Sequence, residues 1–378
     1  MGRRVDHWMF DSFTLTPRSL GIARILIGMY LVLYRAPGLD WMNSLPDTFF
    51  RPPAGPLHLL GGIPTSGVIT AVSVALSIST IALVVGYHTR LASCVTGLLL
   101  FAVDGLAYSF GHVHHSGTYL AAVVVIMAAS NWGGAVSVDA LRRRNGAEPA
   151  TEAWPVALAA LLLGFLMLTS ALPKIASGWL DPSTLAVRAH VVHYHFVAPH
   201  DGLLGTTPLE STSSLVWKPL DYLTVFFEAG FVLAIASPRW TRMFCAAAVV
   251  FHLGAFIAFG IDFTGNVVAY AIFFEWSMVV DRVQVPRTSR AITRQFRDLL
   301  PRIRFVLGPA VFLAGIGMYL FTDRFGSPIT SLTGRFATNP DRAAAFLVFG
   351  VALSGALAYA VVRATSATRH LRRRFAEA

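Results

Sequence analysis

The sequence predicts an all-α fold, a polytopic helical bundle integral to a membrane. Of its 378 residues, 55% are hydrophobic and only 13% are charged, whereas an ordinary soluble domain carries about 25% charged residues. Apolar runs long enough to cross a hydrocarbon core of about 30 Å recur from near one end of the chain to the other. Basic residues are unevenly divided between alternate loops. Together these observations leave no room for a large soluble domain.

About ten transmembrane helices are predicted. A first domain comprises residues 1–300, and a second part, residues 301–378, holds the last two of these helices and a basic tail. The segment before the first span, MGRRVDHWMFDSFTLTPRS, is too long and too polar to lead a cleaved signal peptide, so we expect it to be retained. The predicted spans are residues 19–35, 67–86, 91–109, 117–132, 154–172, 220–236, 242–260, 266–280, 305–321 and 343–362.

The basic residues predict the orientation of the bundle. With the N-terminus inside, 21 of the 30 Lys and Arg residues fall on inner loops and ends, and 8 fall on the outer side. Because inner loops of membrane proteins are enriched in Lys and Arg, both termini are predicted to be cytoplasmic, in a multi-pass protein of the cell membrane. The net charge of +10 is then explained by topology. It indicates the lipid bilayer, not nucleic acid, as the partner.

Two outer loops are long enough to be functional, residues 35–66 and 173–219. The second contains DPSTLAVRAHVVHYHF, which opens with a helix-start signal and continues with helical periodicity. On the inner side, residues 281–304 alternate Arg with apolar residues. That pattern fits an amphipathic helix on the cytoplasmic leaflet or a solvated basic linker.

Histidines gather on the predicted outer side. His112, His114 and His115 lie in FGHVHHSGTY, and His190 and His193 lie in AHVVHYHF. Their spacing permits a shared metal ion, although neither group has a defined metal-motif spacing. Hydrogen-bonding or acid–base histidines are the alternative, and no metal ligand is assigned.

Ionisable residues also occur inside the apolar runs: Arg24, Asp104, Glu228, His252 and Glu275. Such residues usually face a polar cavity or each other, because a charge near the bilayer centre is costly. We expect Arg24 to pair with Glu228 or Glu275. Asp104 and His252 are expected to line an outward-facing cavity or to pack in the bundle.

Lys174 follows an apolar run in ALPKIASGWL, five residues before Trp179. A lysine at a helix end is commonly an interface anchor, with its ammonium reaching toward water. A free lysine is mostly a cation at neutral pH, so it acts as a base only where burial destabilises the charge. The sequence is compatible with both roles.

The order of these segments resembles a known family. The segments are LGIARILIG, SNWGGAVSVDAL, SALPKIASGWLDPSTL, RMFCAAAVVFHLGAFIAFG and FFEW. They resemble the membrane domain shared by vitamin K-dependent gamma-glutamyl carboxylase and its bacterial relatives, the HTTM (horizontally transferred transmembrane) domain, over roughly residues 12–300.

The resemblance implies a lysine base that deprotonates reduced vitamin K, or a similar menaquinol-type quinol, before oxygen reacts. Lys174 matches that lysine, and His252 matches a histidine of a later helix. The carboxylase has Asn-His where this chain has Asn131 and Trp132. It also carries a large lumenal domain that grips its protein substrate. These departures argue against carboxylation of a protein glutamate.

The function predicted from the sequence is therefore a membrane enzyme, carboxylase- or epoxidase-like, with an outward-facing lysine base and a lipid-soluble substrate. Two alternatives are an accessory protein for maturation or export of a secreted peptide, and a metal-binding or transport protein. The predicted catalytic residues are Lys174, His252 and His115. The predicted substrate-binding residues are His112, His114, Trp179, His190, His193, Glu228 and Asn131.

Overall fold

The fold is helical throughout the part of the chain that the computed structural model describes, and that part contains no strand. The described residues are 2–35, 38–111, 115–143, 149–197, 207–282, 288–335, 337 and 339–377. The predicted all-α class is confirmed.

Fifteen α-helices occur in the described residues, joined by short 3-10 and π segments. They are α1 (Gly2–His7), α2 (Pro17–Leu33), α3 (Ser66–Val85), α4 (Thr89–Tyr108), α5 (His115–Met127), α6 (Val138–Arg142), α7 (Trp154–Ala176), α8 (Ala186–Val192), α9 (Ser214–Ala234), α10 (Pro238–Phe259), α11 (Thr264–Ala269), α12 (Ser277–Val280), α13 (Thr288–Phe325), α14 (Pro328–Thr333) and α15 (Pro340–Glu377).

Six segments among the described residues are long and apolar enough to cross a membrane, so the expected number of about ten is not confirmed. They are Ser66–Val85, Thr89–Tyr108, Trp154–Ala176, Pro238–Phe259, Phe305–Phe325 and Pro340–Ser366.

The remaining predicted spans fall short for different reasons. The first reaches spanning length only together with residues 2–12, from which it is bent by 70°. The fourth and eighth are short apolar helices, Gly117–Met127 and Thr264–Phe273. Helix α9 has 21 residues but carries three charged side chains, Lys218, Asp221 and Glu228. The orientation of the termini stays a prediction.

The bundle combines contacts between helices that are consecutive in the chain with contacts between distant ones. Helix α3 packs on α2, α4 and α13, α5 packs on α4, and α7 packs on α5 and α9. The short helix α11 contacts α2, α5, α10 and α15. The main core therefore lies where α2, α5, α7, α10 and α11 converge, around buried side chains such as Ile27, Tyr119, Leu163 and Phe273.

Arg24 does not form the ion pair that the sequence suggested. Its fully buried guanidinium donates to the carbonyl oxygens of Leu83, Val84 (2.9 Å) and Val136 (2.5 Å). The first two carbonyls belong to the last turn of α3, where helical N–H donors are in short supply; the Leu83 carbonyl also accepts the backbone N–H of Gly86 at 3.2 Å. Gly86, at φ 70°, follows the helix, and a Cβ there would lie 2.7 Å from the guanidinium. Arg24 therefore closes a helix end.

Glu275 and Asp104, two other carboxylates that the sequence places in apolar runs, also have polar partners. Glu275 accepts hydrogen bonds from Thr16 Oγ1 (2.5 Å), Ser277 Oγ (2.6 Å) and Ser19 Oγ at the start of α2. Burial acts to raise the pKa of Glu275, but these hydroxyl hydrogen bonds outweigh it and hold the pKa below its ordinary value. Asp104 is paired with Arg35.

Candidate functional site

Lys174 lies in the last turn of α7, where the chain reverses direction. The helix ends at Ala176, and Gly178 adopts φ 83°, a left-handed conformation that favours glycine at helix ends. The backbone N–H of Trp179 then bonds the carbonyl of Lys174 at 3.1 Å. This turn brings the Trp179 ring back over the lysine, 5.6 Å from its Nζ.

The ammonium of Lys174 points back along its own helix. Nζ donates to the carbonyl of Ser170 (3.1 Å) and contacts its hydroxyl (3.0 Å), one turn toward the N-terminus. Helical side chains lean in that direction, so the lysine reaches into the bundle and not outward past the helix end. An interface anchor would extend toward water. The contacts therefore differ from those of an interface anchor.

Glu228 on α9 completes an ion pair with this lysine. Lys174 Nζ lies 2.7 Å from Glu228 Oε2 and 2.9 Å from Oε1, and the Ser170 hydroxyl is 3.3 Å from Oε1. The carboxylate side chain is 8% exposed and the lysine side chain 22% exposed. The pair is therefore mostly enclosed between α7 and α9, and the lysine side chain is the more exposed of the two.

A second ion pair lies next to the first on α9. Lys218 Nζ donates to the carbonyl of Trp179 (2.7 Å) and lies 3.2 Å from Asp221 Oδ2. Asp221, which is fully buried, accepts from the backbone N–H groups of Ala186 (3.1 Å) and Val187 (2.7 Å) at the start of α8. The second pair thus fixes both the Trp179 turn and the first turn of α8 against α9.

Aromatic and apolar side chains enclose the Trp179 side of the site. Trp179 packs in a buried cluster with Val187, Val191, Trp217 and Val225. Its ring lies edge-on to the His190 ring, with centroids 5.1 Å apart.

The predicted outer histidines His190 and His193 are exposed residues of α8 and of the segment that follows it. His190 Nδ1 is 3.1 Å from the carbonyl of Ala186, and His193 contacts the ring of Tyr194 edge-on.

The two ion pairs and their immediate partners form one group of residues. We call this group the lysine–glutamate site; its members are Lys174, Glu228, Ser170, Trp179, Lys218 and Asp221.

Comparison with known proteins assigns the family. The family model of the HTTM domain matches residues 14–278. The chain belongs to the HTTM family. The match includes every member of the lysine–glutamate site. No curated protein and no solved structure matches the chain.

His252 occupies a separate position in the HTTM domain. It is 3% exposed, stacks on Phe263 with ring centroids 4.6 Å apart, and its Nε2 lies 2.9 Å from the hydroxyl of Tyr270. Its Nδ1 has no hydrogen-bond partner among the described residues. The neighbouring Phe251 packs against Phe227 of α9 at 4.9 Å. The described contacts of His252 are thus with aromatic residues, and none of them is with a member of the lysine–glutamate site.

Asn131 lies at the other end of α7 from Lys174. Its side-chain N–H donates to the carbonyl of Ala150 at 2.9 Å, and its amide oxygen accepts from Arg90. The α-helical rise of 1.5 Å per residue separates the start of α7 from Lys174 by roughly 30 Å. The structure does not bring Asn131 to the lysine–glutamate site. The adjacent Trp132 is fully buried.

The first histidine cluster lies largely outside the described residues. His112 and His114 are not among them, and His115 begins α5 with a side chain outside the described set.

Three residues of the site were not anticipated from the sequence: Ser170, Lys218 and Asp221. A signal for two of them was present. Lys218, Asp221, Val225 and Glu228 follow one another at three- and four-residue intervals, so they form one stripe along α9. A helix with three charges on a single stripe indicates a polar face turned toward a partner, and Ser170 lies one helical turn before Lys174 on that partner.

Proposed function

We propose that this HTTM protein is a membrane enzyme in which Lys174 accepts a proton from the hydroxyl of a lipid-soluble, quinol-like substrate. The observation that carries the proposal is the lysine–glutamate pair. Lys174 Nζ is hydrogen-bonded to both oxygens of Glu228 inside the bundle, yet its side chain is 22% exposed. Ionisable residues so placed in membrane helices are usually functional.

The pair supplies a route by which the lysine can become a base. Transfer of one proton from Nζ to Oε2 across 2.7 Å leaves a neutral amine beside a neutral carboxyl group. In a low-dielectric setting the neutral form of a pair is less disfavoured than it is in water, because neither group then needs solvation as an ion. The amine can next take the hydroxyl proton of a bound substrate, so the substrate anion forms beside the lysine cation.

The groups beside Lys174 support a ligand that carries an aromatic ring and hydroxyl groups. Trp179 supplies an aromatic ring next to the lysine, and Ser170 and Glu228 supply hydrogen-bonding oxygens. When bound, reduced vitamin K with oxygen would supply the strong base that the family resemblance implies. Lys174 would receive the hydroxyl proton, and Trp179 would position the ring.

Access from the bilayer is supported by apolar side chains on the two helices of the site. Leu172 is 53% exposed and Ile175 is 41% exposed on α7, and Leu223 is 58% exposed on α9. These side chains are suited to contact lipid chains. A lipid-soluble substrate could therefore approach Lys174 laterally between α7 and α9.

The test uses purified full-length protein supplied with reduced vitamin K and oxygen, with epoxide as the measured product. We expect wild type to form epoxide and Lys174→Ala to form none. Lys174→Arg is the matched variant, because arginine keeps the positive charge but does not give up its proton. We expect it to fold and to lose about 100-fold or more in rate, the usual contribution of a general base. Equal rates in wild type and Lys174→Arg would exclude the base.

The two alternative functions, metal binding or transport and an accessory role in peptide export, are tested by other measurements. Among the described residues, no group of three or more His, Cys, Asp and Glu side chains is arranged to hold a metal ion. Elemental analysis would support the metal alternative if it found a stoichiometric metal. An accessory role in peptide export would instead be supported by loss of a secreted peptide when the gene is deleted, with the Lys174→Arg protein restoring secretion.

A further inference from the structure

A cavity lies at the opposite end of the bundle from Lys174, where α10 begins and α15 approaches its C-terminal part. It has a volume of about 640 Å³ and is lined by residues of both helices, of α12 and of the segment between α11 and α12. The charge distribution predicts this end to be cytoplasmic. The family resemblance and the proposed reaction give this cavity no role.

Three arginines line this cavity, Arg239 and Arg242 from α10 and Arg363 from α15. No carboxylate of the described residues lies within 4.0 Å of any of them. Arg242 donates Nε to the carbonyl of Phe273 at 2.7 Å, which leaves its terminal nitrogens for another partner. The cavity therefore holds a cluster of positive charge without a counter-ion in the described part of the chain.

A fourth guanidinium stands beside the cavity. Arg282 donates to Thr365 Oγ1 (2.7 Å) and Ser366 Oγ (2.8 Å), and Ser366 lines the cavity. The nearby Asp281 is already paired with Arg18. The local balance of charge thus stays positive, and an anion is the ligand that it favours.

The rest of the lining is apolar. Met243 and Ala246 continue the α10 face that carries Arg239, and Ala356 and Ala360 continue the α15 face that carries Arg363. These faces extend one to two helical turns from the arginines, because residues three and four apart share a helix face. The cavity is therefore charged on one part of its lining and hydrocarbon-like on another.

A buried polar group without a partner lies in the same lining. Tyr359 is 7% exposed, and its hydroxyl has no hydrogen-bond partner among the described residues. Its ring packs edge-on to Phe274, another lining residue, at 5.0 Å. A buried hydroxyl without a partner costs free energy, and an ester oxygen of a ligand would supply the acceptor.

We propose that this cavity binds one anionic phospholipid, with the phosphate on Arg239, Arg242 and Arg363 and an acyl chain along Ala246 and Ala356. The combination of basic groups with an apolar wall distinguishes a lipid from a free anion. Basic pockets between membrane helices on the cytoplasmic side bind lipid head groups of this charge. The lipid would join α10 of the HTTM domain to α15, which lies beyond the matched region.

The experiment measures lipid retention by the full-length protein in native mass spectrometry after exchange into mixed micelles. The three probes are phosphatidylglycerol, phosphatidylcholine of the same chain length, and inorganic phosphate. We expect one phosphatidylglycerol per chain to be retained in clear preference to phosphatidylcholine. Equal retention of the two lipids would overturn the proposal. Full displacement of phosphatidylglycerol by inorganic phosphate would also overturn it, because the site would then select phosphate alone.

Matched arginine variants localise the effect. Arg239→Gln with Arg363→Gln removes two cavity charges, and Arg3→Gln with Arg4→Gln removes two exposed charges from α1. About 1 kcal/mol per basic residue corresponds to about 30-fold weaker phosphatidylglycerol binding in the first variant. The second variant should bind as wild type does. Equal losses in both would show a diffuse surface effect and contradict a site.

The apolar wall has its own variant. Ala360→Phe places a ring in the cavity at an exposed position of α15, so the bundle core is not disturbed. We expect it to reduce retention of phosphatidylglycerol while all four guanidinium groups remain. Unchanged retention would mean that no acyl chain occupies the cavity, which would also contradict the proposal.

Discussion

Arg24 and Lys174 are both cations inside the helical bundle, but their partners differ in kind. Among the described residues, the hydrogen bonds of Arg24 all go to backbone carbonyls, at the end of α3 and at Val136. Lys174 bonds to a carboxylate and a hydroxyl as well as to the carbonyl of Ser170. A backbone carbonyl is not a proton acceptor in water near neutral pH, whereas a carboxylate is the conjugate base of an acid. The partners of Arg24 therefore fit a structural cation, and the proposed function depends on the different partner of Lys174.

The largest expected effect is on the structural cation. Arg24→Met removes the guanidinium donor from the carbonyl oxygens of Val84 and Val136 and one of two donors from that of Leu83, and we expect the free energy of unfolding to fall by about 3–5 kcal/mol. Thermal unfolding of the purified protein measures it. Arg18→Met is the control, since its ion pair with Asp281 is exposed and should contribute less than about 1 kcal/mol. Similar losses of stability in the two variants would contradict the structural role assigned to Arg24.

A smaller effect is expected when the counter-ion of Lys174 is removed. Glu228→Gln keeps the size of the side chain but leaves the ammonium without a carboxylate, which should cost about 1–3 kcal/mol. A double-mutant cycle of Lys174→Met and Glu228→Leu should give a coupling free energy of about 1–3 kcal/mol. Strict additivity of the two single variants would mean that the pair does not form.

The pH dependence of stability tests the hydrogen bonds of a third group, the carboxylate of Glu275. Because hydrogen bonds hold the folded-state pKa of Glu275 below its ordinary 4.5, its contribution is present above that value and is lost as pH falls through the lower folded pKa. The melting temperature of wild type should therefore drop below about pH 4.5. Glu275→Gln should remove this component of the drop and cost about 1 kcal/mol at pH 7. An unchanged acid profile in the variant would contradict the assignment.

The smallest expected effect is on the hydroxyl beside the lysine. Ser170→Ala removes contacts to both Lys174 and Glu228, and we expect a loss of about 0.5–1 kcal/mol in stability. Epoxide formation should fall more than this loss of stability explains, because the hydroxyl helps to hold the pair in line. Thr169→Ala, one residue earlier on an exposed part of α7, is the matched control and should have neither effect.

The sequence anticipated part of the site because local patterns carry it. The spacing from Lys174 to Trp179 is set by one helix end and one turn, and both are local features of ALPKIASGWL. The helix in DPSTLAVRAHVVHYHF is local as well, and α8 occupies residues 186–192 within it. Asn131 was grouped with these residues by resemblance alone, and distance along α7 separates it from them.

The partners of the ionisable residues could not be read from the sequence. Arg24, Glu228 and Glu275 were expected to satisfy one another, yet each has other partners. Pairing depends on which helix faces meet, and several arrangements of apolar helices satisfy the same composition. The charged stripe of α9 indicates that this face packs against polar groups of another helix, but it does not identify that helix as α7.

By itself, the sequence determined the helical membrane class, the HTTM family and the identity of the lysine beside Trp179, because hydropathy and short motifs are properties of contiguous residues. The tertiary structure alone decided that Lys174 faces Glu228, that Arg24 closes a helix end, and that His252 contacts Tyr270. A charge buried among apolar helices has to be compensated within a few ångströms, and only packing determines which group is within that distance.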